Sequence, residues 1–263
     1  MKKIIIAVLA LVAVATEASA YTLYGHQTIA QLADMYLTDG ARKKVERILD
    51  SDIVAASGWL MEVRKHPDYQ HTKLWEKTYL NEVGKSTTME ENDGVVQLEK
   101  SIAVLRNRKN ESDSLVLASL RTVIHLVGDL HCLSHIIIEG NEDTKGFMYY
   151  HWNELTDKRR RDWKSQWYNL WEKAYLGRYS VFSTQYYAKD IDIYARNKRA
   201  EYEKGTPRFW VENGGEDVVR ALEDFYPEAT VPTQVHQLYE YLHTKCMAKA
   251  GYRLAALLND IFK

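Results

Sequence analysis

Apolar residues recur at three- and four-residue spacing along most of this chain, the period of an amphipathic helix. The pattern predicts helices over HQTIAQLADMYL (26–37), GARKKVERILD (40–50), VVQLEKSIAVLRN (95–107) and DSLVLASLRTVIHLVGDLH (113–131). It continues over DWKSQWYNLWEKAYL (162–176), STQYYAKDIDIYARNKRAEYEK (183–204), PRFWVENGGEDVVRALEDFY (207–226) and YEYLHTKCMAKAGYRLAALLNDIF (239–262). Loops are expected at 66–73, 82–94 and 137–147. Strand signals are sparse; the aromatic run GFMYYHW (146–152) suits one arm of a small hairpin. With four prolines in 263 residues and no linker or repeat, the expectation is all-α: a single mostly helical domain with a minor β-hairpin.

The first twenty residues break that pattern. MKKIIIAVLALVAVATEASA has two lysines, a short apolar run and a small-x-small end at Ala18-Ser19-Ala20. This is the form of a secretory signal peptide and is too short for a membrane span. The expected organisation is therefore 1–20 signal peptide and 21–263 helical domain, with cleavage near Ala20 and a secreted or periplasmic product. No later run is long enough to span a membrane, and the product is expected to be a monomer. A net charge of −1 gives no bulk attraction for nucleic acid, although a local basic patch such as KRRRDWK (158–164) stays open. Two cysteines, Cys132 and Cys246, do not make a disulfide scaffold, and their pairing is left open.

One helix carries unusual chemistry. VIHLVGDLHCLSHI (123–136) places His125, Asp129, His131 and His135 among aliphatic residues. Two readings compete, an exposed polar stripe and a metal site. His125 and Asp129 are four apart and share a helix face, and both offer zinc-binding atoms. His135 lies about 15 Å further along if the helix continues, so it calls for a second site; His131 fits either scheme. Cleavage would free the α-amine of Tyr21 five residues before His26, and that amine and imidazole can join the same ion.

Six stretches together resemble the S1/P1 nuclease family, the zinc-dependent single-strand nucleases related to bacterial zinc phospholipase C. YTLYGH is similar to W-G-x-x-G-H, ASGWLMEVR to A-S-W-A-D-x-x-R, and HLVGDLHCLSH to H-x-x-G-D-x-H-Q-P-L-H. WYNLWEKAYL is similar to L-H-x-x-W-D-x-x-L-I, and GTPRFWVEN and AKAGYRLAALLNDIF to the C-terminal segments. The resemblance implies a helical fold with up to three zinc ions. It assigns the Tyr21 backbone, His26 and Asp129 to one ion, His125 and Asp129 to another, and His135 and Glu172 to the last. It implies a catalytic role for Asp129 and a phosphate-binding role for Arg64, whose alternative is a surface ion pair. Tyr79 and Asn81 fall where a base is held; for Tyr79 the alternative is core packing.

Three ligand positions are substituted: Met61 for an aspartate, Thr78 for a histidine, with a two-residue insertion in LWEKTYLN against W-H-Y-x-N, and Tyr168 for a histidine. Methionine, threonine and un-ionised tyrosine are poor zinc ligands beside those they replace. Glu62, His66, His71, His151 and Glu154 are candidate replacements. The expectation is fewer than three zinc ions and weakened or lost phosphodiester hydrolysis of single-stranded DNA or RNA. The alternative is a non-catalytic relative that keeps one zinc and binds phosphate, nucleic acid or protein.

Overall fold

The computed structural model describes residues 22–87, 89–141, 149–153, 163–177 and 179–263. The expected signal peptide, Tyr21, Glu154 and residues 158–162 of the basic run lie outside them.

Among the described residues, seven helices exceed ten residues: α1 Leu23–Asp34, α2 Asp39–Leu49, α3 Gly94–Arg106, α4 Asp113–Asp129, α5 Thr184–Ala195, α6 Pro207–Asp224 and α7 Thr233–Ile261. Most begin at a side-chain cap of the kind that satisfies the free N–H groups of a first turn. Thr38 accepts from the Ala41 N–H, Ser112 from Leu115, Ser183 from Tyr186 and Thr206 from Phe209. α6 has Pro207 in its first turn and α7 follows Pro232, where proline's fixed φ suits a helix start.

α1 packs on α7, α5 and α4, while α3 and α7 cover further sides of α4. α4 is thus the central helix. Every residue from Thr122 to Asp129 is buried, so its second half has no solvent face. An exposed polar stripe is ruled out: His125 and Asp129 are both 0% exposed. No described helix is long and apolar enough to cross a membrane.

α4 stops at Asp129, and a tight 3₁₀ turn, Leu133–His135, follows. The expected helix through His131 therefore ends two residues early. The chain turns back after Asp129 instead of carrying His135 along the axis. Residues 66–73, expected as a loop, lie mostly in a 3₁₀ helix, Pro67–Glu76.

Among the described residues, two small sheets accompany the helices. β1 Thr78–Leu80 pairs in parallel with β2 Ile136–Ile138, with Thr78 opposite Ile136. β3 Tyr149–Asn153 pairs antiparallel with β4 Trp163–Gln166, and in parallel with β5 Ala229–Pro232. The β3–β4 pair places residues 149–152 of the aromatic run in an antiparallel pair, as expected of a hairpin arm; residues 146–148 of that run lie outside the described residues. β4 also takes over the start of the expected 162–176 helix, which begins only at Trp167. That helix contains a π-helical turn, Leu170–Ala174, a feature that often re-aims a side chain at a functional site.

Candidate metal centre

Two groups of buried ligand atoms meet at the C-terminal end of α4: His26, His125 and Asp129 in one, Cys132, His135 and Glu172 in the other. Within each group the ligand atoms lie within 4.8 Å of one another.

The first group joins α1 to α4. His26 Nε2 is 3.2 Å from Asp129 Oδ1, and His125 Nε2 is 3.4 Å from Asp129 Oδ2. The two imidazoles stack with centroids 3.9 Å apart. Gly128 permits this approach: a Cβ there would sit 2.7 Å from His26 Nδ1, closer than real contacts allow.

The proton inventory of His125 is informative. Its Nδ1 lies 2.8 Å from the Ser57 carbonyl, which only accepts, so Nδ1 carries the hydrogen. Ser57 belongs to the ASGW stretch, which gives that motif a structural role. Burial lowers the His125 pKa to about 3, overriding the pull of Asp129. The ring is therefore neutral with a bare Nε2. Burial pushes the Asp129 carboxyl upward, but His125, His26 and Arg64 outweigh it and hold it well below the usual carboxylate range. A bare imidazole nitrogen thus faces an ionised carboxylate in a dry interior. His125 Nε2 has no hydrogen-bond partner, and the Asp129 oxygens are met only at the long distances of 3.2 Å by His26 and 3.6 Å by Arg64. Such an arrangement is costly until a cation sits among these atoms. A ring fixed through Nδ1 to a carbonyl is also the usual posture of a zinc-ligating histidine.

Arg64 is buried, so a surface ion pair does not describe it. Its Nη2 lies 3.6 Å from Asp129 Oδ2 and its Nη1 3.3 Å from Glu76 Oε2, while Nε and Nη2 have no hydrogen-bond partner. Those two donors are the edge of the guanidinium that can fork onto an anion.

In the second group, His135 Nδ1 donates to the Glu76 carbonyl at 2.6 Å and Nε2 lies 2.8 Å from Glu172 Oε1. Ser134 Oγ donates to the same oxygen at 3.0 Å, and Cys132 Sγ lies 3.4 Å from it. Burial opposes charge on His135, but Glu172 overrides it and raises the pKa to about 9. Burial also raises Glu172, against His135 and Ser134. At 2.8 Å, Nε2 and Oε1 share a hydrogen. Tyr168 tilts against His135 with centroids 5.7 Å apart, and burial drives its hydroxyl far above the usual tyrosine range.

Glu76 and Cys132 join the centre without having been anticipated. Glu76 touches both halves: its carbonyl takes the His135 proton, its carboxylate takes Arg64, and burial raises its pKa against His135 and Arg64. Thr78, expected in that row, interacts with Asp93 at the N-cap of α3 instead. The signal was present: read without an insertion, LWEK against W-H-Y places Glu76 on the histidine. Cys132 stands at the glutamine of the H-x-x-G-D-x-H-Q-P-L-H stretch. Both cysteines are free and buried, which settles their pairing.

Other candidates lie elsewhere. His131 is structural: its Nδ1 donates to the Val127 carbonyl at 2.7 Å and its Nε2 accepts from Arg253 at 2.7 Å. Glu62, His66 and His71 are exposed, and nothing is described of the His151 side chain. Met61 is half-buried one residue after Leu60 on the short Trp59–Val63 helix. Tyr79 is 53% exposed, not packed in the core, because β1 alternates buried, exposed, buried. It lines a cleft of about 540 Å³ with Leu74, Lys77, Met89 and Asn92. Asn81 Oδ1 accepts from the Val83 and Lys85 N–H groups, at 3.2 and 2.8 Å, and so shapes the turn beside that cleft.

The S1/P1 Nuclease family model matches residues 21–263. No curated protein matches the chain.

Proposed function

Because the chain belongs to the S1/P1 nuclease family, we propose that it is a secreted zinc-binding phosphodiesterase relative with weak activity on single-stranded DNA or RNA. The observation that carries this reading is the bare His125 Nε2 facing ionised Asp129, with His26 alongside and the buried, hydrogen-bond-free edge of Arg64 next to them. His26, His125 and Asp129 would hold zinc, the ion on which this family depends in general. After cleavage at Ala20 the Tyr21 amine and carbonyl would join them; the family match begins at residue 21, which supports that division. The chemistry such an ion supplies is activation of water and polarisation of a phosphoryl oxygen. Asp129 orients the ligands, and Arg64 Nε and Nη2 bind phosphate oxygens. Tyr79 offers an exposed ring on which a base can stack, beside Asn81.

Three features support weak turnover. Met61 supplies no carboxylate, Tyr168 stays un-ionised, and Glu76 adds negative charge where an anionic phosphate must approach Arg64. The Arg64–Glu76 pair also favours a second reading, a non-catalytic relative that binds phosphate, nucleic acid or protein.

Zinc analysis of the full chain together with cleavage of single-stranded DNA and RNA tests both. Slow, chelator-sensitive cleavage by a zinc-containing chain fits the first reading, and zinc with binding but no cleavage fits the second. A chain that binds no zinc contradicts both. On the first reading, Met61→Asp with Glu76→His and Tyr168→His raises zinc content and cleavage.

A further inference from the structure

We propose that Cys132 is a metal ligand, forming with His135 and Glu172 a zinc site of mixed sulfur, nitrogen and oxygen character. The proposal rests on the zinc-binding reading above but names a donor which that reading does not require.

The local backbone builds this site. The His135 N–H bonds to the Cys132 carbonyl at 2.9 Å across the 3₁₀ turn after α4. Residues three apart eclipse in such a turn, so thiol and imidazole emerge on the same side. The π-helical turn brings Glu172 from the opposite side. Ligand atoms of Cys132, His135 and Glu172 then lie within 4.8 Å of one another, at 0%, 1% and 0% residue exposure. Second, Glu172 Oε2 is fully buried and has no hydrogen-bond partner, and neither has the Tyr168 hydroxyl. Three hydrogen-bonding groups crowd one oxygen of Glu172 while the other is left bare. A purely structural carboxylate is costly in that state. A divalent cation taken by the bare Glu172 oxygen together with Cys132 and His135 removes the imbalance.

Third, His135 is held through Nδ1 on the Glu76 carbonyl, which leaves Nε2 as the coordinating atom. Binding exchanges protons for metal: the thiol proton and the proton shared by His135 and Glu172 go to solvent as bonds from sulfur, nitrogen and oxygen form to the ion. A thiolate makes the site softer than one of imidazole and carboxylate alone and suits zinc or cobalt(II).

Cobalt(II) added to the chelator-stripped full chain tests this, because thiolate ligation gives an intense near-ultraviolet charge-transfer band beside the weaker visible d–d bands. The expected result is both, with charge transfer lost in Cys132→Ser and kept in Cys246→Ser. Zinc content should fall by about one ion per chain in Cys132→Ser. Visible cobalt bands without charge transfer in the unmodified chain would overturn the assignment of Cys132 while leaving the zinc-binding reading intact. Charge transfer that follows Cys246 also overturns it. No cobalt absorption of any kind overturns both. The unmodified chain and Cys246→Ser decide the question even if Cys132→Ser does not fold.

Discussion

The two ligand groups at the end of α4 are built on one plan and differ in one particle. In each, a histidine gives its Nδ1 hydrogen to a backbone carbonyl, Ser57 for His125 and Glu76 for His135, and aims Nε2 at a buried carboxylate. At His125 the nitrogen is bare; at His135 it shares a proton with Glu172. The difference follows from neighbouring charge. Arg64 and His26 already face Asp129 and disfavour a proton on His125, whereas carboxylates Glu172, Glu76 and Asp129 all favour one on His135. Burial alone does not dictate how a buried His–carboxylate pair is satisfied; the next charge out does. On the proposed reading the first group presents bare ligand atoms to a cation, and the second holds a proton that a cation can displace.

The largest way to break this contrast is Asp129→Ala. It strands Arg64 beside Glu76 alone and removes the anion from two imidazoles. Urea denaturation should show a loss of roughly 3–5 kcal/mol, with zinc lost from the first group. Glu172→Gln should leave the first group's zinc in place.

Acidity separates the two groups next. His125 has a folded pKa of about 3 against an ordinary 6.5, so below about 6.5 the unfolded chain binds the extra proton and stability falls with acid. His135 is raised to about 9, so the folded chain holds the extra proton and stability falls as pH rises from about 6.5 through 9. Denaturation of the metal-free chain across pH should show both limbs, about 5 kcal/mol at most on the acid side and about 3 kcal/mol at most on the alkaline side. His135→Gln should flatten only the alkaline limb.

Gly128→Ala should act on the first group alone. The added methyl meets His26 at 2.7 Å, and displacing the ring should cost about 1–2 kcal/mol and lower the first group's zinc affinity. The smallest effect on stability is expected from Tyr79→Ala, within about 0.5 kcal/mol at an exposed site. Binding of single-stranded nucleic acid should nonetheless weaken by about 1 kcal/mol or more, read by fluorescence anisotropy.

Much of this was legible in the sequence. Helical periodicity revealed the long helices, and the His125–Asp129 spacing marked a shared face. What stayed hidden depends on contacts distant in sequence. Cys132 has no periodic or spacing signature and is recruited by a 3₁₀ turn that the apolar pattern does not announce; Glu76 shows only if LWEK is aligned without an insertion, and it closes a 3₁₀ helix whose first part reads as a loop. Sequence leaves Tyr79 between holding a base and packing in the core, because the three-residue strand carrying it is too short to display alternation. Arg64 was equally compatible with surface and interior until the packing of α4 buried it.

The most direct test of two cation sites of opposite resting state is the zinc count of the full chain by native mass spectrometry, repeated after exhaustive chelation. The account predicts two zinc ions per chain, the ion at Cys132, His135 and Glu172 leaving first because a proton replaces it there. A chain that carries no zinc, or that sheds the His26–His125–Asp129 ion first, would contradict it.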